Sequence, residues 1–121
     1  MPAPFDRPLR SVLYLPASNA RAIEKSRALA CDAVILDLED AVAPDAKEDA
    51  RAAAVAALAE GGFGDRLVAI RANGLDTRWG AADFAAIAGS KADAIVVPKV
   101  DTPSQAAAAV AAADGKPVMA M

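Results

Sequence analysis

Three carboxylates fall within four residues at Asp37, Glu39 and Asp40. Packed that closely they repel one another, and the repulsion calls for a cation, a basic side chain or raised pKa values. Two roles fit them: a network that serves a cation or acts as a base, or the capping of the next turn with pairing to Lys47. Arg71 closes the apolar run Leu67-Val68-Ala69-Ile70, where a charge is expensive unless paired. It can bridge to one of those carboxylates, or offer its planar fork to the carboxylate of a substrate. Lys99, after Val97-Pro98, can orient carboxylates, contact a phosphate or form a Schiff base. Ser18 and Asn19 open a turn whose backbone N–H groups suit an anion. Asn73 adds an amide two positions beyond Arg71.

Other chemistry is excluded. The chain has no histidine, so it holds neither a histidine-based triad nor a histidine-ligated zinc within its 121 residues. Neither G-x-G-x-x-G nor a P-loop occurs, which leaves nucleotide chemistry without a motif. Cys31 is the single cysteine; it allows no internal disulfide and reads as a small buried side chain at a helix end. Trp79 and Phe84 read as packing residues in or under a loop, with stacking on a ligand the alternative for Trp79. With 13 basic and 16 acidic residues, a net charge of −3 and no basic block, nucleic acid is a poor partner. No apolar stretch approaches the roughly 20 residues of a membrane helix, so no membrane partner is expected. The start, Met1 to Arg10, carries Pro2, Pro4 and Pro8 and no signal-peptide core; it reads as a mature cytoplasmic terminus.

The elements that must position the charged residues are legible in the apolar pattern. The chain is 55% hydrophobic, mostly Ala, Val, Leu and Ile, as a packed α/β protein is. Five near-continuous apolar runs, Ser11–Leu15, Ala33–Leu38, Leu67–Arg71, Ala94–Val97 and Pro117–Met121, resemble strands buried on both faces. Each gap between them has room for a helix. Asn19 is a cap for a helix to about Ala30, and Asp45 with Glu48 has the spacing of a capping box before an Ala-rich helix that stops at Gly61-Gly62. Trp79 to Ala88 reads as a third helix. Thr102-Pro103-Ser104-Gln105 opens a fourth, with proline at its first position. The order is βαβαβαβαβ, read as one domain over residues 1–121. Right-handed crossovers leave a (β/α)8 barrel or an open doubly wound sheet. In either, ligands bind where the strands end, and four consecutive strand ends here carry charges or amides. A full barrel takes about 250 residues, so the chain reads as roughly half of one, truncated in strand five.

The runs Arg10-Ser11-Val12-Leu13-Tyr14-Leu15-Pro16, Ala33-Val34-Ile35-Leu36-Asp37-Leu38-Glu39-Asp40-Ala41-Val42, Arg71-Ala72-Asn73, Trp79-Gly80 and Ile95-Val96-Val97-Pro98-Lys99 resemble, in order, the HpcH/HpaI aldolase and citrate lyase β-subunit superfamily. Lacking histidine, the chain is more similar to the branch acting on CoA esters, with malyl-CoA and citramalyl-CoA lyases, than to aldolases of free 2-keto acids. The resemblance implies the N-terminal part of a (β/α)8 TIM barrel. It implies a lyase that splits a 3-hydroxyacyl-CoA of malyl, citramalyl or citryl type into acetyl-CoA and a 2-oxo acid. Its cofactor would be Mg²⁺, its partners the CoA thioester and the small 2-oxo acid, and its complete form a cytoplasmic homo-oligomer. Arg71 would bind the substrate carboxylate, with Asn73 and Ser18 beside it. Asp37, Glu39, Asp40 and Lys99 would form the catalytic surround of the metal, with Lys47 behind them. The metal ligands would be a Glu ending strand five and an Asp farther on, expected just beyond Met121, so the chain as given is expected to be inactive. A metal-dependent 2-keto-acid aldolase without CoA and a non-catalytic half-barrel interaction module are the alternatives.

Overall fold

The computed structural model describes residues 6–121, so the N-terminal segment read as a cytoplasmic start lies partly outside the described residues, in positions 1–5. Five strands alternate with four helices: β1 (Val12–Pro16), α1 (Ala20–Ser26), β2 (Ala33–Asp37), α2 (Lys47–Glu60), β3 (Leu67–Arg71), α3 (Gly80–Ala88), β4 (Ala94–Val97), α4 (Pro103–Ala112) and β5 (Val118–Ala120). The limits of β3 and β4 are those the apolar runs predict; β1, β2 and β5 differ by one or two residues.

The local signals act as expected at three helix ends. Asn19 Oδ1 accepts the Ala22 N–H at 3.0 Å. Gly61, at φ 76°, ends α2 in a conformation that costs other residues strain. Thr102 and Gln105 cap α4 reciprocally, with Pro103 between them. Two expectations are corrected. Helix α1 stops at Ser26, not near Ala30, because the guanidinium of Arg66 takes the carbonyls of Ser26, Arg27 and Leu29. Asp45 and Glu48 form no capping box: Pro44–Ala46 make a 3₁₀ turn, and α2 starts from Ala46 with no side-chain cap. Glu48 and Asp49 still favour that end through their charge.

All strand pairs are parallel and their spatial order is β1-β2-β3-β4-β5. That order decides between the two architectures, since a doubly wound sheet reverses direction at a switch point and this one does not. Side-chain alternation supports it. Val34, Leu36, Val68, Ile70, Ile95 and Val97 pack against the helices, with Ile23, Ala54, Phe84 and Ile87. The opposite face, Ala33, Ile35, Leu67, Ala69, Ala94 and Val96, forms a cluster containing no helix residue. The sheet also curls strongly. Flat, it would hold β1 and β5 about 19 Å apart at the usual strand spacing, yet the Tyr14 hydroxyl touches the Met121 sulfur. This is the α/β architecture of a barrel wall. No helix among the described residues is long and apolar enough to cross a membrane.

Candidate functional site

Parallel register sets Pro16, Asp37, Arg71, Val96 and Met119 in one row at the C-terminal rim. Asp37 and Arg71 are direct neighbours there, on the face that the helices do not cover. Arg71 Nε and Nη2 donate to the two Asp37 carboxylate oxygens, each at 2.8 Å. The turn after β2 closes over the same carboxylate: the amides of Glu39 and Ala41 donate to it at 2.9 and 3.1 Å. Burial works against the ionised Asp37 most strongly, but the Arg71 fork and the two amides together outweigh it, so its carboxyl titrates below the usual carboxylate range. Hydrogen bonding to Asp37 in turn raises the Arg71 pKa further above its already high value. The Tyr14 ring lies 5.2 Å from the guanidinium carbon, a cation–π contact.

Glu39 faces two cations. Its Oε2 accepts from Lys99 Nζ at 2.8 Å, while Oε1 lies 3.6 Å from Arg71 Nη1, buried and without a hydrogen bond among the described residues. Asp40 is exposed, with Lys99 Nζ 3.8 Å away. The crowded carboxylates are thus relieved by Arg71 and Lys99. Lys99 reaches back because its backbone is left-handed, φ 56°, a conformation worth of order 1–3 kcal/mol of strain in a residue with a side chain. Its hydrogen bond to Glu39 and the nearby carboxylate charge raise its pKa. A cavity of about 200 Å³ opens beside this cluster, lined by Glu39, Leu75, Thr77, Val97, Lys99 and Ala109 among others.

The remaining predicted residues are placed differently. Lys47 is buried and pairs with none of the carboxylates. Its Nζ donates instead to the carbonyls of Leu38 and Glu39 at 2.9 and 2.7 Å. Asn73 is 2% exposed, and its Nδ2 donates to the Leu38 carbonyl and to Asp83. The amide expected to meet substrate is committed to the protein. Ser18 sits on the exposed turn after β1, next to Ala17, whose amide donates to the Asp37 carbonyl at 2.9 Å.

Asp83, wholly buried, escaped the reading of the sequence. It accepts from Arg51 Nε at 2.8 Å and from the Asn73 backbone and side-chain amides at 2.9 and 2.7 Å. It thereby ties α2 and α3 to the end of β3. A signal existed: Asp83 stands four residues before Ile87 and next to Phe84, on the apolar stripe of its helix.

Magnesium, the implied cofactor, does not fit the residues described. Asp37 is saturated by Arg71 and two amides, Glu39 is engaged by Lys99, and each carboxylate has a cation within 4 Å. Among the described residues no three potential ligands converge.

A profile of the family described as HpcH/HpaI aldolase/citrate lyase matches residues 10–118. A "(3S)-malyl-CoA thioesterase" of Cereibacter sphaeroides is 49% identical over 114 residues, covering 94% of this chain and 40% of that protein. An "L-malyl-CoA/beta-methylmalyl-CoA lyase" of the same species is 42% identical over 102 residues, covering 82% of this chain and 32% of its own length. Among solved structures, the CitE protein of Mycobacterium tuberculosis in complex with magnesium, acetoacetate and coenzyme A superposes with a TM-score of 0.74 at 31% identity, over 90% of this chain and 38% of that one. The chain spans about two fifths of the first of these curated relatives and about a third of the second.

Proposed function

The chain belongs to the HpcH/HpaI aldolase/citrate lyase family, and on that premise we propose that its rim anchors the carboxylate of a small oxo acid in a magnesium-dependent enzyme acting on CoA thioesters. The favoured reaction is cleavage of a 3-hydroxyacyl-CoA of malyl type into acetyl-CoA and a 2-oxo acid. One observation carries this reading: Arg71 spends Nε and Nη2 on Asp37, while Nη1, 3.6 Å from Glu39 Oε1, makes no hydrogen bond among the described residues. Held on one edge by Asp37 and on one face by Tyr14, the guanidinium is fixed in orientation before any ligand arrives. That preorganisation lowers the cost of orienting a planar carboxylate. Because Asp37 already neutralises it, Arg71 supplies direction more than net attraction. Lys99, at the mouth, supplies a cation that can exchange Glu39 for an incoming anion.

The fold of residues 1–121 as one part of a barrel domain, the contributions of Asp37, Glu39, Asp40 and Lys99 to catalysis, and a homo-oligomeric, cytoplasmic enzyme belong to the same proposal. The divalent cation would be held by residues other than those described. Asn73 acts in it through Leu38 and Asp83, and Ser18 through the turn after β1.

A second reading, hydrolysis of the same thioester to the free hydroxy acid and CoA, is supported by the 49% identity to malyl-CoA thioesterases. Both reactions need the same carboxylate anchor. They separate by product: a longer protein carrying this sequence, given malyl-CoA and Mg²⁺, yields acetyl-CoA with glyoxylate in the first case and free malate with CoA in the second. Arg71→Lys, which keeps the charge and loses the fork, should lower kcat/KM for the favoured reaction by about 30-fold or more, equivalent to roughly 2 kcal/mol. Unchanged kinetics in that variant would remove Arg71 from the site.

A further inference from the structure

One peptide unit, Leu38–Glu39, links the buried network to the rim. Its carbonyl accepts from Lys47 Nζ at 2.9 Å and from Asn73 Nδ2 at 3.0 Å. Its N–H points the other way, to Asp37 Oδ1 at 2.9 Å. Lys47 Nζ also donates to the Glu39 carbonyl at 2.7 Å and lies 5.2 Å from the Trp79 ring centre. With 6% of its surface exposed and no ion pair among the described residues, this ammonium has spent its charge on two carbonyls and an aromatic face. A buried cation of that kind is costly unless such acceptors hold it. The cost has a product: hydrogen bonds from a charged donor are the strong ones, and in series they polarise one another.

We propose that Lys47 is a positioning residue of the site, which aligns and polarises the Leu38–Glu39 peptide and through it holds Asp37, and hence the Arg71 fork, in the orientation that receives a carboxylate. The consequence for function rests on the reading of Arg71 as substrate anchor; the alignment itself does not. The line runs from the ammonium to the Leu38 carbonyl, from the Glu39 N–H to Asp37, and from Asp37 to Arg71. Asn73 backs the same carbonyl and is held in place by Asp83. The turn also fixes Glu39, whose side chain faces Arg71 and Lys99.

The titration of Asp37 reports the alignment, because its carboxylate is the acceptor at the end of the amide. The charged and titratable groups around it are Arg71 from β3, Tyr14 from β1, Glu39 and Asp40 from the turn, Lys99 after β4 and Lys47 from α2; all but Lys47 stay unchanged in the test. Carboxyl carbons of the isotope-labelled 121-residue chain are followed by NMR against pH in the parent, Lys47→Met and Lys47→Arg. Asp37 should titrate at higher pH in Lys47→Met, by about half a unit or more, and return toward the parent value in Lys47→Arg. Lower thermal stability with an unmoved Asp37 titration would reduce Lys47 to a structural residue and overturn the proposal. Should Lys47→Met not fold, the parent decides alone. Its Lys47 ammonium protons should exchange slowly and the Glu39 amide proton should shift with Asp37 ionisation; rapid ammonium exchange would sink the idea. Adding pyruvate and Mg²⁺ to a longer protein carrying this sequence tests the anchor separately, so absence of any response at Arg71 there defeats the functional reading without touching the Asp37 result.

Discussion

At the scale of the residue, the site is built around one saturated ion pair. Asp37 and Arg71 have side-chain exposures of 3% and 15%, and neither can lose its partner cheaply. Removing one member of such a pair typically costs about 3–5 kcal/mol, whereas replacing both with apolar residues is often neutral. In urea unfolding, Arg71→Met alone should therefore destabilise the chain more than the double variant Asp37→Leu/Arg71→Met does. A double variant worse than the single would show that the pair contributes net stability. The pH dependence has a definite sign. A carboxyl whose folded pKa is depressed stabilises the fold above its unfolded value, about 3.9, and that stabilisation is lost as pH falls below it through the folded pKa. Acid unfolding of the parent should begin in that window, and the double variant should lack this component. The residue scale is also where the sequence was hardest to read. The charges at Asp37, Arg71 and Lys99 announce themselves by interrupting strand ends, and the need of Arg71 for a partner follows from its apolar run. Which carboxylate it chooses depends on register, which places Asp37 beside it and Glu39 one turn farther on.

At the scale of the element, two close approaches shape the cavity wall. Gly80 opens α3 where a Cβ would stand 2.1 Å from the Gly74 carbonyl oxygen and 2.7 Å from the Leu75 Cα. Those are backbone atoms, so the segment that carries Leu75 and Thr77 would have to move. Gly80→Ala should cost about 1–3 kcal/mol and raise amide exchange across residues 74–77. Gly89→Ala, whose nearest contact would be 3.7 Å from the Ala85 carbonyl at an ordinary negative φ, is the control and should do neither. Equal effects from the two would mean that helix propensity, not crowding, is responsible. Strands and helices themselves were legible because apolar runs and caps are local signals, as Asn19 and Thr102 show. The missing cap at Ala46 and the early end of α1 were not, since Pro44 and the distant Arg66 decide them. The expected pairing of Lys47 with the carboxylates after β2 fails for a related reason. Its place on the same stripe as Ala50, Ala54, Ala57 and Leu58 was a readable hint that it points inward.

At the scale of the whole molecule, the order of strands decides the rest. Sequential parallel pairing puts every helix on one side and leaves the other face to the sheet's own curvature. Val12 and Tyr14 of the outer strand β1 are 43% and 39% exposed, and Met121, following β5, is 56% exposed. Strand edges with exposed apolar neighbours invite pairing with another chain. The 121-residue chain should therefore self-associate, seen as a concentration-dependent mass in sedimentation. A monomer at all concentrations with sharp two-state unfolding would speak against an open barrel wall. The choice of a barrel over a doubly wound sheet was not available from periodicity, because both share the same βα repeat; spatial order alone distinguishes them.

The Asp37–Arg71 pair carries a consequence for descent. Single-step loss of either member leaves the other buried charge without its hydrogen-bonded partner. Loss of the pair would then be a two-step event through a less stable intermediate. The fold alone would then hold a descendant to Asp37 and Arg71, whether or not the pair meets a ligand.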